Sequence, residues 1–162
     1  MEIRAATIEH AEAILEIYNH WVLTSSATFD LVPRTMEEQQ RWLTDRTGVH
    51  AVVVAIDGTG EVVGFGALSP YRERAGYATT VEDSVYVAEG HQGRGVGREL
   101  LEHLVEVARK HGFHALMAKI VGGHEQSIGL HRRCGFEVVG TEREVGRKFG
   151  RWQDVVLMER LL

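Results

Sequence analysis

A glycine-rich turn leads directly into an amphipathic helix pattern in the segment HQGRGVGRELLEHLVEVARKHG at 91–112. Apolar residues recur at helical spacing after the turn, and β-rich runs lie on both sides, at 79–88 and 114–121. The spacing predicts a helix over about 94–111 that ends at Gly112, with one stripe facing the core: Val96, Leu100, Leu104 and Ala108, with Leu101 and Val105 beside it. A strand, this turn and this helix must therefore pack as one unit.

A glycine-rich helix start is suited to an anion. The first turn of a helix exposes unpaired N–H groups and a partial positive charge, where phosphate binds readily. Glycine lets the preceding loop bring its amides close to a bulky anion. The run Gln92-Gly93-Arg94-Gly95-Val96-Gly97 could cradle a phosphate or pyrophosphate.

Three phosphate-binding patterns and a structural explanation compete for this run. The dinucleotide pattern G-x-G-x-x-G fails, because Arg98 or Leu100 occupies its last position. The Gly-Lys-Ser/Thr of a Walker loop is missing as well. The pattern Gln/Arg-x-x-Gly-x-Gly/Ala fits Gln92, Gly95 and Gly97. The alternative is a flexible helix start without a ligand, at which three helix-disfavouring glycines would cost stability without benefit.

The order of the predicted elements is β-α-α-β-β-β-α-β-α-β-β. Thr7 and the Thr35–Glu38 capping box mark the starts of the first two helices, the first with Ile8, Ala11, Ile14, Leu15 and Tyr18 on one face. Asp57-Gly58-Thr59-Gly60 joins two strand patterns as a hairpin. This order predicts an α/β or α+β architecture, with a mixed sheet and helices packed on it. The further strands and the short helix are predicted at 2–6, 49–56, 61–68, 136–145, 152–161 and 126–134.

Composition narrows the protein class. The 162 residues are typical of one domain, 1–162, with a full hydrophobic core. A net charge of -5 weighs against non-specific nucleic-acid binding. The N-terminus does not resemble a signal peptide, and no apolar run is long enough for a membrane span. The single cysteine, Cys134, fits a reducing compartment such as the cytoplasm, and we interpret it as a small buried residue rather than a nucleophile.

The strand, the Gln-Gly-Arg-Gly-Val-Gly turn and the helix resemble the coenzyme A-binding signature of the GNAT superfamily of N-acetyltransferases. The flanking segments NHWVLTSSATF, YRERAGYATTVEDSVYV, SIGLHRRCGF and GRKFGRWQDV resemble the phosphinothricin and methionine sulfoximine N-acetyltransferases within it. The resemblance covers nearly the whole chain. It implies a mostly antiparallel sheet of seven strands with helices on both faces, splayed between 79–88 and 114–121.

The resemblance implies acetyl-CoA as co-substrate. The pantetheine arm would pair with the backbone of Val85, Tyr86 and Val87, and the pyrophosphate would lie at the loop. The implied cofactor-binding residues are Val85, Tyr86, Val87, Gln92, Gly93, Arg94, Gly95, Val96, Gly97, Arg98, His124 and Ser127. His124 stands where relatives often have Asn, which leaves its contact open. Independently, the spacing of His111 and His114 across Gly112 does not favour a metal site.

Two residues align with the family's catalytic positions. Glu82 matches the proposed general base, which would take a proton from the substrate ammonium. His131 stands where many members have a Tyr that protonates the leaving thiolate, and its titration range suits that task. The alternatives are a solvent-facing pair, Glu82 and Asp83, on the strand, and a packed histidine on the short helix. Whether His131 or a water protonates the thiolate stays open.

The resemblance places a small amino-acid substrate among seven residues. Arg72 and Arg74 would hold its acidic groups, and on an extended segment they would point the same way. The whole implied set is Phe29, Arg72, Arg74, Tyr77, Lys148, Phe149 and Trp152. The expected activity is α-amino acetylation of L-phosphinothricin, L-methionine sulfoximine or L-methionine sulfone, with herbicide resistance as its consequence. A protein N-terminus, a polyamine and a non-catalytic CoA sensor remain alternatives. Relatives often form homodimers, which no residue here establishes.

Overall fold

The computed structural model describes residues 1–46 and 48–162. It contains seven strands and four α-helices, with 3₁₀ turns at Ile8–His10 and Ala75–Tyr77. In chain order they are β1 (Glu2–Ala5), α1 (Ala11–Thr24), α2 (Met36–Thr44), β2 (Val52–Ile56), β3 (Val62–Pro70), β4 (Thr80–Val87), α3 (Val96–Lys110), β5 (Ala115–Val121), α4 (Glu125–Arg133), β6 (Glu137–Lys148) and β7 (Arg151–Leu161).

The strands form one sheet in the order β1-β2-β3-β4-β5-β7-β6. Every neighbouring pair is antiparallel except β4 and β5, which are parallel. The parallel pair is joined only from Thr80–Glu82 to Ala115–Met117, although β4 continues to Val87 and β5 to Val121. The predicted mixed, mostly antiparallel sheet is thereby confirmed, including its splay between these strands.

Helices cover both faces of the sheet, and each face has its own core. On one face α3 buries Leu100, Leu101 and Leu104 against apolar residues of β2, β3, β4 and β5. On the other face α1 buries Ile14, Ile17 and Tyr18 against β2 and β3. No helix in the described ranges is both long enough and apolar enough to cross a bilayer.

Close backbone approach seats α3 on the sheet. A Cβ atom on Gly66 would lie 2.9 Å from Leu104 Cδ1, and one on Gly64 would lie 3.0 Å from Val96 Cγ1. Both distances are shorter than ordinary contacts, so glycine at these two strand positions lets the helix approach β3. The orientation of α3, and with it the position of its N-terminus, depends on this contact.

Helix starts agree with the sequence in one case and differ in another. The predicted capping box is present: Glu38 N–H donates to Thr35 Oγ1 at 3.2 Å, and Thr35 N–H donates to Glu38 Oε2 at 2.8 Å. Ile8 was expected on the buried face of the first helix but is 50% exposed. A 3₁₀ turn occupies Ile8–His10, and its tighter winding turns Ile8 away from the apolar stripe of α1.

Candidate active site

The splay between β4 and β5 opens into a cavity of about 520 Å³. This volume lies in the range of small-molecule sites. Its wall contains both predicted catalytic residues and most of the predicted cofactor residues: Glu82, His131, Val85, Tyr86, Val87, Gln92, Gly93, Gly95, Gly97, Arg98, His124 and Ser127. The cavity therefore joins the glycine-rich loop to the predicted catalytic strand.

Gly95 and Gly97 shape the end of the cavity at which α3 begins. Gly95 caps the helix in the left-handed region, with φ +89°, and a Cβ there would meet open space. A Cβ on Gly97 would lie 3.1 Å from Leu130 Cδ2, so this glycine lets α4 approach the first turn of α3. Because the first turn of α3 lines the cavity, its free amides and helix dipole favour an anion there.

Two residues of the loop lie outside the cavity wall. Val96 is only 4% exposed and packs in the core beneath β3, so it anchors the start of α3. Arg94 is exposed and does not line the cavity. Arg98 does line it, and its Nε donates to Glu102 Oε1 at 2.8 Å across one turn of the helix. Of these two arginines, Arg98 in the first turn of α3 is the one placed to meet an anion in the cavity.

The backbone of β4 presents alternate residues to the gap. Ala88 N–H donates to Val63 O at 2.9 Å, and the antiparallel alternation then directs the backbone groups of Tyr86 toward β3. The same alternation directs those of Val85 and Val87 into the gap. This corrects the expectation that Tyr86 offers its backbone to a ligand. Its ring instead stacks on Phe65, with ring centroids 5.3 Å apart.

One of the gap-facing groups already has a partner within the protein. Trp21 Nε1–H donates to the Val87 carbonyl at 2.9 Å, and Trp21 itself lines the cavity. A bound molecule that follows β4 as an added strand would therefore meet Val85 first.

Glu82 is the last residue of β4 that is paired with β5. Its carboxylate accepts from the Lys119 ammonium, with Oε2 and Nζ 2.8 Å apart, and both residues line the cavity. The Glu82 side chain is 26% exposed, so it is reachable from the cavity. This ion pair was not predicted from the sequence, because Lys119 is 37 positions away in the chain and comes beside Glu82 only through the parallel pairing.

His131 lies on the opposite side of β4, on α4. Its Nε2 is 3.1 Å from Asp83 Oδ1, and its Nδ1 is 2.8 Å from the Ser127 carbonyl oxygen. The side chains of His131 and Asp83 are 5% and 2% exposed. Both nitrogens of the predicted acid are thus engaged by the protein.

Asp83 is a functional candidate that the sequence interpretation missed. It appeared only in the alternative of a solvent-facing pair with Glu82, yet strand alternation puts it on the same face as Val81, Val85 and Val87. A carboxylate on the apolar face of a predicted strand was the signal that could have identified it.

His124 connects the two sides of the cavity mouth. Its Nε2 lies 3.0 Å from Ser26 Oγ, in the loop that follows α1, while its backbone caps α4. Burial lowers the pKa of His124 below its usual value. In the structure this residue joins the loop to α4.

The predicted arginine pair is arranged differently from the expectation. Residues 71–79 form bends and a 3₁₀ turn rather than an extended segment, so the strand alternation that would point Arg72 and Arg74 the same way is missing. Arg72 lies over the rings of Tyr71 and Tyr77, at 4.9 and 5.2 Å from their centroids. Neither arginine lines the cavity, and the expectation of an extended segment here was wrong.

Tyr71 connects this segment to Glu82. The Lys119 ammonium lies 5.4 Å from the Tyr71 ring centroid, and the rings of Tyr71 and Tyr77 are 5.7 Å apart. Tyr77 is exposed beside Arg72, whose guanidinium donates to its hydroxyl at 3.3 Å. Arg72 and Tyr77 therefore border the region around Glu82 without entering the cavity wall.

The other predicted substrate residues bring the β6–β7 hairpin against the loop after α1. The Lys148 ammonium is buried and donates to the carbonyls of Thr28 and Asp30 at 2.8 and 2.9 Å. Burial lowers the pKa of Lys148, and Asp30 partly offsets this. Phe29 packs on Gly146 of the same hairpin. Lys148 thus holds the loop, rather than pointing a free cation at a substrate.

Phe149 and Trp152, the last two of the predicted substrate residues, lie at the surface of the hairpin. They are 59% and 60% exposed, and neither lines the cavity. Arg147 lies 4.9 Å from the Trp152 ring centroid. A substrate contact at these two residues would have to be made at the surface.

A model of the acetyltransferase (GNAT) domain matches residues 3–157 of the chain. The chain belongs to the GNAT acetyltransferase family. The splayed β4 and β5 and the helix start between them are therefore parts of an acyltransferase fold, and the enzyme class predicted from the sequence is confirmed.

Several acetyltransferases are similar to this chain over most of their length. An L-methionine sulfoximine/L-methionine sulfone acetyltransferase of Pseudomonas aeruginosa is 40% identical over 97% of this chain and 92% of its own. A crystal structure of a GNAT superfamily phosphinothricin acetyltransferase from Sinorhizobium meliloti in complex with AcCoA has a TM-score of 0.96 and 38% identity, covering 99% and 88% of the two chains. A ribosomal-protein-alanine N-acetyltransferase from Brucella melitensis has a TM-score of 0.97 and 40% identity, with both chains fully covered.

Proposed function

We propose that this GNAT protein transfers the acetyl group of acetyl-CoA to the α-amino group of a small amino acid with an acidic or polar tetrahedral side-chain head. L-phosphinothricin, L-methionine sulfoximine and L-methionine sulfone are the candidates. The observation that carries the proposal is a single cavity that joins the start of α3 to Glu82. An anion site and a carboxylate base in one cavity are what such a transfer needs.

Acetyl-CoA fits the part of the cavity near α3. Gly93, Gly95 and Gly97 leave the loop without side chains that would block a pyrophosphate, and Arg98 adds a positive charge. Val85 offers backbone groups to the amide-rich pantetheine arm. The bound thioester would supply an activated acetyl group, and the protein would orient it toward Glu82.

Glu82 is suited to accept the proton of the substrate amine. An α-ammonium group has a pKa of roughly 8 and must lose a proton before it can attack. A carboxylate within reach, directly or through water, can take that proton. The Lys119 ammonium now occupies a position next to Glu82, so an incoming substrate ammonium must share or displace it.

Lys119 also supplies the positive charge that was expected from the arginines. It lines the cavity beside Glu82, whereas Arg72 and Arg74 do not. A cation on β5, at the edge of the gap, can pair with an acid head or an α-carboxylate while the amine faces Glu82. We therefore assign the anion contact of the substrate to Lys119.

The alternative substrates differ in charge. The Brucella protein is named for ribosomal-protein alanine, which makes a protein N-terminus the second candidate. A polyamine is disfavoured, because Arg98, Lys119 and Arg133 line the cavity and would repel a polycation. A CoA-binding sensor without catalysis is disfavoured by the presence of both Glu82 and His131 in the cavity wall.

A thiol-release assay with a panel of amines tests the proposal. The panel contains phosphinothricin, methionine sulfone, a peptide with an N-terminal alanine, and spermidine. We expect the highest kcat/KM with one of the two amino acids. A preference for spermidine would refute the assignment, and a preference for the peptide would establish the second candidate. If no thiol is released with any of the four amines, the CoA-binding sensor is favoured.

The Lys119→Met substitution tests the anion contact within the same assay. Loss of one charge-assisted hydrogen bond costs roughly 1.5–3 kcal/mol, so KM for phosphinothricin should rise about ten- to a hundred-fold. KM for a simple amine without an acid group should change little. Lys110→Met is the matched control, because Lys110 is exposed at the end of α3 and does not line the cavity. Equal KM changes for both amines would contradict the assignment.

A further inference from the structure

Asp83 occupies an unusual place for a carboxylate. Residues of its parity in β4 pack on the core beneath α3, among them Val81 and Val85. Asp83 is only 6% exposed. A buried carboxylate is costly unless it is paired, so its partner has to explain why it is there.

His131 is that partner. Nε2 of His131 lies 3.1 Å from Oδ1 of Asp83, and the edge of the ring meets Phe136 with centroids 5.0 Å apart. On α4 itself the Ser127 carbonyl contacts Nδ1. Among the described residues, Asp83 is the charged group next to the His131 ring. The contacts from α4 and from the segment after it, the Ser127 carbonyl and Phe136, are uncharged.

The hydrogen bonds determine where the protons are. A carbonyl oxygen only accepts, so Nδ1 of His131 carries a hydrogen and donates it to Ser127. A second proton must then lie between Nε2 and Oδ1, since a lone pair on each would repel. Burial by itself would lower the pKa of His131, but the hydrogen bond and negative charge of Asp83, together with the Ser127 carbonyl, raise it. The pair thus stores one proton between its members.

The second oxygen of Asp83 points to a further contact. Oδ2 is buried and has no hydrogen-bond partner among the described residues. A buried polar atom without a partner is rare and needs an explanation. Asp83 and His131 both line the cavity, so a water or a bound molecule there can supply the missing partner.

We propose that Asp83 is a positioning residue for the reaction: it holds His131 protonated, and the pair delivers its stored proton to the departing CoA thiolate. The proposal rests on the proposed function. The substrate nitrogen forms a bond to the acetyl carbon, the carbon–sulfur bond breaks, and its electron pair stays on sulfur. The sulfur then takes the proton of the pair, which is restored from water. The proton that the amine loses leaves through Glu82.

The alternation of β4 separates these two proton transfers. Glu82 and Asp83 are consecutive, so their side chains point to opposite faces of the strand. Glu82 pairs with Lys119 on one face, and Asp83 pairs with His131 on the other. One carboxylate accepts a proton while its neighbour keeps a proton on a histidine.

Asp83→Asn is the central variant, because an amide has nearly the same shape but cannot hold His131 charged. The first readout is the imidazole titration of His131 by ¹⁵N NMR in the free protein, assigned with His131→Gln. We expect the wild-type ring to stay protonated above the ordinary histidine value of about 6.5, and the ring in Asp83→Asn to titrate below that value. Asp57→Asn, in the β2–β3 turn, is the control that removes a carboxylate away from the cavity.

The second readout is the dependence of kcat on pH. Asp83→Asn should lower kcat by about 10- to 100-fold at neutral pH and move the loss of activity at high pH to lower pH. KM for acetyl-CoA should change less than about threefold, since the loop at α3 is untouched. The double variant with His131→Gln should be no slower than His131→Gln alone, because Asp83 acts through the histidine.

Three results would overturn the inference. The first is a pKa of His131 in the wild-type protein at or below the ordinary histidine value. This result would be sufficient by itself, and it does not depend on whether any variant folds. Unchanged high-pH loss of activity in Asp83→Asn is the second, and additive losses in the double variant are the third. Absence of turnover with every amine would overturn the proposed function, and with it the role of His131 as an acid. The NMR titration needs no substrate, so it still tests whether Asp83 holds His131 protonated when the proposed function fails.

Discussion

Gly95→Asp puts a negative side chain at the point where we place the pyrophosphate of acetyl-CoA. The backbone of Gly95 has φ +89°, and a Cβ would point into open space. The variant can therefore fold with strain but without a clash. We expect it to lose most of the thermal stabilisation that acetyl-CoA confers on the wild type, because the new carboxylate repels the phosphates.

The size of the effect follows from the geometry. A non-glycine residue in the left-handed region costs roughly 1–2 kcal/mol, which lowers Tm without ligand by about 2–8 °C. Two like charges about 5 Å apart at an effective dielectric constant of about 20 repel by roughly 3 kcal/mol, which weakens binding by about 10²-fold. At a ligand concentration of about 100 Kd, the wild type gains roughly 2.7 kcal/mol and the variant less than about 0.5 kcal/mol.

The assay is thermal unfolding of both proteins with and without acetyl-CoA. The wild type should gain about 5–10 °C and the variant about 1–2 °C at the same ligand concentration. Gly60→Asp is a matched control, because Gly60 also has φ +89° and open space around its Cβ, but lies in the β2–β3 turn away from the cavity. It should lose stability without ligand and keep the full shift.

Strain and ligand repulsion are separated by this pair of variants. If acetyl-CoA raises the Tm of Gly95→Asp as much as that of the wild type, the pyrophosphate does not bind at the start of α3. A lost shift in both variants would show that left-handed strain alone abolishes binding, and the electrostatic argument would fail.

Three further outcomes follow from single contacts. Glu82→Gln should bind acetyl-CoA normally but lower kcat by about 10²–10⁴-fold at neutral pH. This loss of kcat should become smaller as pH rises through the pKa of the amine, and an unchanged kcat at neutral pH would show that Glu82 is not the base. Lys148→Met should lower stability by about 1–3 kcal/mol in a urea titration, because a buried and a part-buried carbonyl lose their donor, whereas Lys110→Met should change it little. Thr35→Ala should cost about 1 kcal/mol in the same titration through the lost cap, and a ¹H–¹⁵N spectrum should place the changes at the start of α2.

Local signals were enough to predict most of the secondary structure. The capping box at Thr35 and the Asp57–Gly60 turn depend on neighbours within four positions, and both occur as expected. The apolar stripe of α3 is buried as its spacing indicates. Predictions of this kind succeed because the interacting groups are adjacent in the chain and need no tertiary partner to be recognised.

The resemblance to a family predicted more of the site residues than the periodicity of the sequence could. It placed Glu82, His131 and the loop residues around one site, and the structure brings all of these except Arg94 and Val96 to one cavity wall. It did not anticipate that Arg72 stacks on tyrosines or that Lys148 is buried on carbonyl groups. A matched residue type shows where a position lies in the fold, but its contacts depend on neighbours that vary between family members.

The sequence by itself determined that a helix with an anion-binding start follows a strand, because glycines and apolar spacing act within a few residues. Only the tertiary structure decided what the charged residues do. Lys119 reaches Glu82 through the short parallel pairing of β4 and β5, and His131 reaches Asp83 from a helix 48 positions away. The physical reason is that charge interactions depend on distance and burial, and the splay of β4 and β5 sets both for groups that are far apart in the chain.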